Sequence, residues 1–471
     1  MRFRFPATLV VFCCAASIAR GTDVTYFRHD YGVTTDDASL PDDLGAEGCL
    51  KWRVPSESGI SSPCVHDDHI FFTSYDESSS ILATVALDRA TGNTLWNAPV
   101  ETTRIEPVHR VGSPAACTPA CDGERVYSFF GSYGLLCYSM DGALLWSRKM
   151  GPFQDEFGAG SSPILVDDFV ILNEDHDVDC VLMAIDKRTG EIRWTAPRHG
   201  FTRSYSTPIV LETAQERSLI VAGALRLVAY EIGTGKPKWW VDGLSRIVDP
   251  TPVIADGRIY VATWTPGGDS SSRISMEPYE EALNTHDADQ DGAIAKAELS
   301  EGPVLQRFFR IDLDQNGQLS KAEWDAHSRV FELAQNTAMA IRPGGTGNVT
   351  ASAIEWTYRR GLPTVPSAIV YEGVMYMVKD SGIITSLDAS IGDLLKQGRS
   401  RGPGNYYASL VAGDGKVYLA SEMGVVTVLE AGRDWSILSS HDFGERLMAT
   451  PAIQDGRIYI RTDKAMYCFA E

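Results

Sequence analysis

The stretches ALDRATGNTLW (Ala86–Trp96), AIDKRTGEIRW (Ala184–Trp194) and AYEIGTGKPKW (Ala229–Trp239) decide the fold. Each reads as a short apolar strand, a turn carrying an acidic residue and glycine, and a second strand closing on tryptophan. Glycine supplies the positive φ a tight hairpin needs, and the acidic side chain can accept from the turn's own amides. CYSMDGALLW (Cys137–Trp146) and SLDASIGDLL (Ser386–Leu395) are weaker copies.

A second pair of strands precedes each of these. Its openings are Ser62-Pro63, Ser113-Pro114, Ser162-Pro163, Thr207-Pro208, Thr251-Pro252 and Thr450-Pro451, with Pro366-Ser367 and Ser409 as degenerate copies. Its turns show in CDGERVYSF, ADGRIYVAT, GDGKVYLAS and QDGRIYIRT, where Asp-Gly between apolar runs signals a hairpin. Two hairpins make a unit of four antiparallel strands, and there are eight openings. Trp52, Trp96, Trp146, Trp194 and Trp239 recur roughly every 45–50 residues, the period of propeller blades rather than of a sandwich. The predicted fold is therefore all-β, an eight-bladed β-propeller of four-stranded antiparallel blades. CLKWRVP (Cys49–Pro55) is a lone fourth strand, and the C-terminal RIYIRTDKAMYCFAE stops after strand three. Joining them closes the ring without an exposed sheet edge. That pairing sets Cys49 and Cys468 on neighbouring strands, where an oxidising compartment permits a disulfide without demanding one.

The period fails once. Trp239 and Trp356 stand about 117 residues apart, roughly 70 more than one repeat. The surplus lies between RIYVATW (Arg258–Trp264) and NTAMAIRPGG, so it is read as an insertion between strands two and three of blade five. The expected organisation is a signal peptide over 1–21, an extension over 22–48, blades over 49–267, an inserted helical module over 268–336, and the remaining blades over 337–471.

That insertion holds DADQDGAIAKAE (Asp287–Glu298) and DLDQNGQLSKAE (Asp312–Glu323). Calcium takes six to eight hard oxygens, and a twelve-residue loop supplies them from positions 1, 3, 5, 7 and 12, with glycine at 6 for the bend. In the first loop these are Asp287, Asp289, Asp291, the Ala293 carbonyl and bidentate Glu298, around Gly292. In the second they are Asp312, Asp314, Asn316, the Gln318 carbonyl and Glu323, around Gly317. Ile294 and Leu319, each at position 8, should pair as a short β-bridge. Leu283, Leu299, Phe308 and Trp324 give the flanking helices apolar faces. Two calcium ions are expected, in an EF-hand pair. The short Leu299–Ile311 link, broken by Gly302-Pro303, favours a structural site over a signalling switch.

Charge and composition exclude other classes. The chain has 471 residues and a formal net charge of −20, with no Lys/Arg-rich run, so nucleic acid is not an expected partner. MRFRFPATLVVFCCAASIARG has the basic start, apolar run and small residues of an export signal and is too short to span a bilayer, so a periplasmic or extracellular protein without a transmembrane segment is expected. HExxH, GxSxG and phosphate-cradling motifs are lacking. NEDHDVDC (Asn173–Cys180) reads as a solvated hairpin tip and His66-Asp67-Asp68-His69 as a turn. Asn348-Val349-Thr350 fits a glycosylation sequon.

The AxDxxTGxxxW copies, with FGSYGLLCYSMDGALLW, AIRPGGTGNVTASAIEW and VKDSGIITSLD, resemble the repeats of the PQQ-like β-propeller family over residues 49–471. That family includes the assembly factor BamB and the quinoprotein dehydrogenases, and some exported bacterial members carry an EF-hand insertion. The BamB-like side of the resemblance implies a non-catalytic scaffold contacting protein partners or a cell-envelope glycan. The quinoprotein side implies a PQQ-dependent dehydrogenase, which would stack PQQ against a vicinal Cys-Cys disulfide. The vicinal pair here, Cys13-Cys14, falls in the expected signal, so PQQ is not an expected cofactor and no catalytic residue is assigned. A carbohydrate-active or hydrolytic propeller is the remaining alternative.

Overall fold

The computed structural model describes residues 23–35, 38–102, 104–153, 155–177, 179–269, 271 and 276–471. The expected signal segment, residues 1–21, lies outside them. The described chain folds as eight four-stranded antiparallel blades. Blade one is Cys64–His66, His69–Asp76, Ile81–Asp88 and Thr94–Val100. Blade two runs from Ala120–Cys121 to Leu144–Lys149, blade three from Ile164–Val166 to Ile192–Pro197, and blade four from Ile209–Glu212 to Pro237–Asp242. Blade five runs from Val253–Ala255 to Ile354–Tyr358, blade six from Ile369–Tyr371 to Leu394–Arg399, and blade seven from Val411–Gly413 to Ser436–Asp442. Blade eight takes three strands from the C-terminus and its outer strand, Leu50–Pro55, from the N-terminal side. Short Gly347–Asn348 adds a parallel fifth strand to blade four.

The repeat that betrays the fold also joins the blades. Trp146 of blade two donates its indole N–H to the Lys187 carbonyl of blade three at 3.2 Å. Its ring lies against Gly190, where a Cβ would stand 2.6 Å from Trp146 Cε3. Glycine is thus required twice at one position, for a φ of 73° and for the ring above it. The same donation links Trp52 to Arg89, Trp96 to Met140, Trp194 to Ile232 and Trp356 to Ala389. Trp239 departs from the pattern and donates to Glu216 within its own blade at 2.9 Å.

A second joint encircles the axis. The Ser62 amide donates to the Thr118 hydroxyl at 2.9 Å, Thr118 to Ser162, Ser162 to Thr207, Thr207 to Thr251, Thr251 to Ser367, Ser367 to Ser409, Ser409 to Thr450, and Thr450 back to Ser62 at 3.0 Å. Each blade therefore needs a hydroxyl at one inner position, and the adjacent proline, which lacks an N–H, is tolerated where the first strand begins. The ring corrects one assignment: blade two opens at Thr118-Pro119, not at Ser113-Pro114. Ser113 instead accepts from the Ala115 amide two residues on.

The closing blade pairs Trp52 with Cys468 and Leu50 with Phe469. Cys49 and Cys468 do flank the same pair of strands, yet all seven described cysteines are free. Cys468 points into the core with Trp52 and Val65, whereas Cys49 packs on the other face beside Leu40 and Phe469. Side chains on opposite faces of a pleat cannot bridge, so the disulfide is corrected to two separate thiols.

Asp23–Thr34 forms a strap across one mouth of the propeller. Val24 bridges Val65 of blade one, the Thr25 carbonyl accepts from Cys121 of blade two, and the Thr34 amide donates to Ala412 of blade seven. Arg28 is buried and donates to the Leu410 and Ala368 carbonyls, both at 2.9 Å. With carbonyl partners only, burial pulls its guanidinium down to about 9. Among the described residues no helix is long and apolar enough to cross a membrane.

Candidate functional site

Between Arg258–Thr263 and Thr337–Ile341, strands two and three of blade five, the chain leaves the sheet for a small helical body. Its core is Tyr279, Ile294, Leu299, Phe308, Ile311, Leu319 and Trp324. Ile294 pairs with Leu319 and Ala295 with Gln318, which sets the two acidic loops side by side. Tyr279 locks them by donating to the Leu319 carbonyl at 2.8 Å.

Each loop turns its carboxylates inward. Oxygens of Asp287, Asp289 and Asp291 lie within 4.8 Å of one another, as do those of Asp312, Asp314 and Glu323. The Asp291 and Gly292 amides donate to Asp287, and the Asn316 and Gly317 amides donate to Asp312. Glu298 bridges the Ala288 and Ala295 amides at 2.8 and 2.7 Å, and Glu323 does the same for Leu313 and Ser320. Ala293 donates its amide to Asp291. Asn316 holds Asp314 through its side-chain amide, and Gln318 reaches across to Asp291 at 2.9 Å. Burial, opposed by the Gly317 amide and reinforced by the charge of Glu323, holds the Asp312 carboxyl above its ordinary value. The arrangement presents several hard oxygens around each loop centre, the donor set that suits calcium.

The second feature is an axial cavity of about 480 Å³. Six of the eight hydroxyl residues of the ring line it, together with Phe27 of the strap and Arg310 of the insertion. Its wall in blades two to four backs onto a buried ionic network. Arg198 and Asp175, both fully buried, form two hydrogen bonds at 2.6 and 2.8 Å, and Arg198 also donates to Tyr230. His176 faces Glu174 at 2.7 Å and Asp155 at 3.2 Å. Burial pulls its imidazole down, but the bonds to Asp155 and Glu174 outweigh that and raise it to about 10. Arg203 pairs with Asp177 at 2.5 Å and with Glu156. Nearby, burial pushes the Glu106 and Asp249 carboxyls up to about 7.

NEDHDVDC is thus not a solvated tip. Residues Asn173–Asp177 are buried because their countercharges arrive from Asp155, Arg198 and Arg203 in neighbouring loops. His66-Asp67-Asp68-His69 does form the turn between the first two strands of blade one. Asn348 lies exposed on the short fifth strand and holds Asp242.

A closed eight-bladed ring, with inter-blade tryptophans and a girdle of hydroxyls, defines a repeat propeller of the PQQ-like type. The family described as "Outer membrane protein assembly factor BamB" matches residues 33–156, 78–196 and 179–470, and the chain belongs to that family. BamB from Moraxella catarrhalis superimposes with a TM-score of 0.55 at 12% identity, over 90% of this chain and 99% of that one. A europium-containing methanol dehydrogenase gives 0.52 at 11% identity, over 90% and 93%. The computationally designed Ika8 protein gives 0.54 at 10% identity, over 90% of this chain and 100% of that one. An assembly factor, a dehydrogenase and a designed protein share this shape, so the likeness speaks for the fold alone. The serine/threonine-protein kinase AfsK of Streptomyces griseus is 27% identical over 166 residues, 31% of this chain and 20% of that protein. The chain spans about a fifth of the length of that curated relative.

Proposed function

We propose that this chain is an exported, calcium-binding propeller that serves as a non-catalytic scaffold for protein partners in the cell envelope. The observation that carries this reading is the rim. The outer strands of successive blades expose large aliphatic side chains: Leu50 on blade eight, Leu95 on blade one, Leu144 and Leu145 on blade two, Ile192 on blade three, Leu394 on blade six and Leu438 on blade seven. Leu144 is 55% exposed. Strand edges carrying apolar side chains are docking surfaces for extended segments. Arg148, Lys149 and Arg193, interleaved on the same strands, keep the edges soluble until a partner is met.

The inserted loops take two calcium ions and act as a local staple, since each brings acidic oxygens together that repel until a cation neutralises them. The family name, an outer membrane protein assembly factor, supports an envelope protein as partner over a glycan. The test is capture of solubilised envelope proteins by the calcium-loaded protein, compared with a Leu95→Lys, Leu144→Lys, Ile192→Lys variant. Capture should be specific and lost in the variant. Turnover of alcohols or aldoses in a dye-reduction assay with added PQQ and calcium would instead establish the dehydrogenase reading.

A further inference from the structure

A second chamber, of about 150 Å³, lies between the insertion and the inner loops of the propeller. Four guanidinium groups border it: Arg203 and Arg246 from the propeller, Arg307 and Arg310 from the insertion. That is a dense positive cluster in a chain whose net charge is −20. The local carboxylates absorb it only in part, and Asp249, which acts on Arg246, is itself pushed up to about 7 by burial. Glu156 and Asp177 are both committed to Arg203, and Glu156 is shared with Arg310 only at 3.3 Å. Glu323 also borders the chamber, but its oxygens accept from the Leu313 and Ser320 amides.

The remaining donors are poised and unmatched. Arg246 donates its Nε to the Pro266 carbonyl at 3.0 Å, and Arg307 has no side-chain hydrogen bond among the described residues. The two guanidiniums lie against the Phe331 ring, at 5.4 and 5.7 Å from its centroid, so one aromatic platform orients both. Arg310 Nε is buried and meets no acceptor. An unpaired buried donor on a cation is costly, and several together are stable when an anion completes them. Burial, followed by Arg246, Arg307 and Arg310, also holds the neighbouring His327 imidazole down to about 4.

We propose that this chamber is a binding site for a tetrahedral oxyanion, a sulfate or phosphate group, clamped between Arg246 of the propeller and Arg307 and Arg310 of the insertion. Guanidiniums converging from two bodies suit a group that offers oxygens in several directions, whereas a single carboxylate is satisfied by one guanidinium fork. The chamber shares Arg246, Ile247, Pro266 and Arg310 with the axial cavity. A group esterified to a sugar therefore has space for its body beyond the clamp. The insertion then has a role besides its own metal loops, since it supplies two of the anion's three guanidinium ligands.

The full mature protein, calcium-loaded and in chloride buffer, is titrated calorimetrically with sodium sulfate and separately with glucose 6-sulfate. Saturable binding of at least one probe is expected, weakened about tenfold in Arg307→Gln and again in Arg246→Gln, since each removes charge-assisted bonds. Both variants should keep the wild-type circular dichroism spectrum. Tighter binding of the sugar sulfate identifies an esterified group as the ligand, and equal or tighter binding of free sulfate identifies the ion. Absence of saturable binding below about 10 mM for both probes, or an affinity unchanged in both variants, overturns the site.

Discussion

Replacing Gly190 by alanine tests whether the turn glycine of one blade is the socket for the tryptophan of the blade before it. Gly190 has a φ of 73° and a Cβ there would stand 2.6 Å from Trp146 Cε3 and 2.9 Å from Cδ2. The backbone conformation alone costs an L-residue roughly 1–2 kcal/mol, and forcing a methyl into a packed contact adds roughly 1–3 kcal/mol. Gly257, in the Asp-Gly turn of blade five, separates the two contributions. It has the same φ of 73°, yet nothing lies within 4 Å of its would-be Cβ. Gly257→Ala should therefore carry only the conformational cost, and Gly190→Ala about 1–3 kcal/mol more. Urea unfolding of the calcium-loaded protein, followed by tryptophan fluorescence, measures both. Equal losses in the two variants would refute the socket and leave Trp146 as an ordinary half-buried ring.

Thr118→Val keeps the shape of the inner girdle but strands the buried Ser62 amide, which donates to Thr118 at 2.9 Å. A loss of roughly 1–3 kcal/mol is expected in the same unfolding assay, and no loss would remove the ring from the account of closure. His176→Gln leaves Asp155 and Glu174 buried without their cation and should cost roughly 3–5 kcal/mol at neutral pH. The imidazole is raised from 6.5 to about 10, so its contribution is complete below 6.5 and fades as pH climbs through 10. Glu106 and Asp249 act in the same direction. They keep their protons to about 7 when folded, so stability falls as pH rises from their ordinary values towards 7. Wild-type stability measured from pH 5 to 10 should decline throughout, and His176→Gln should flatten the limb above 7. A wild-type rise towards alkaline pH would contradict the buried network.

The repeat was legible because its signals are local. A glycine at a turn, an acidic residue beside it and a tryptophan a few residues on all sit in one short window, and their period gives the blade count. The two acidic loops were legible for the same reason, since twelve consecutive residues hold each proposed ligand set. What stayed hidden depends on residues far apart in the chain. Asp175 and Asp177 look like solvent-facing acids until Arg198 and Arg203 fold over them. Thr118 and Ser113 are equally plausible openings until neighbouring blades choose between them. Cys49 and Cys468 were placed on adjoining strands, but which face each takes depends on the register and the irregularity between Leu50 and Trp52. Arg246, Arg307 and Arg310 carry no motif, and only the packing of the insertion on the propeller brings them together.

The central claim, a calcium-stapled insertion in a scaffolding propeller, is tested most directly by calorimetric titration of the metal-stripped protein with calcium. The account predicts two ions per chain, both lost in the Asp287→Ala, Asp312→Ala variant, with the blades still folded by circular dichroism. No binding to the wild-type chain, or two ions still bound with unchanged affinity by the double variant, would contradict it.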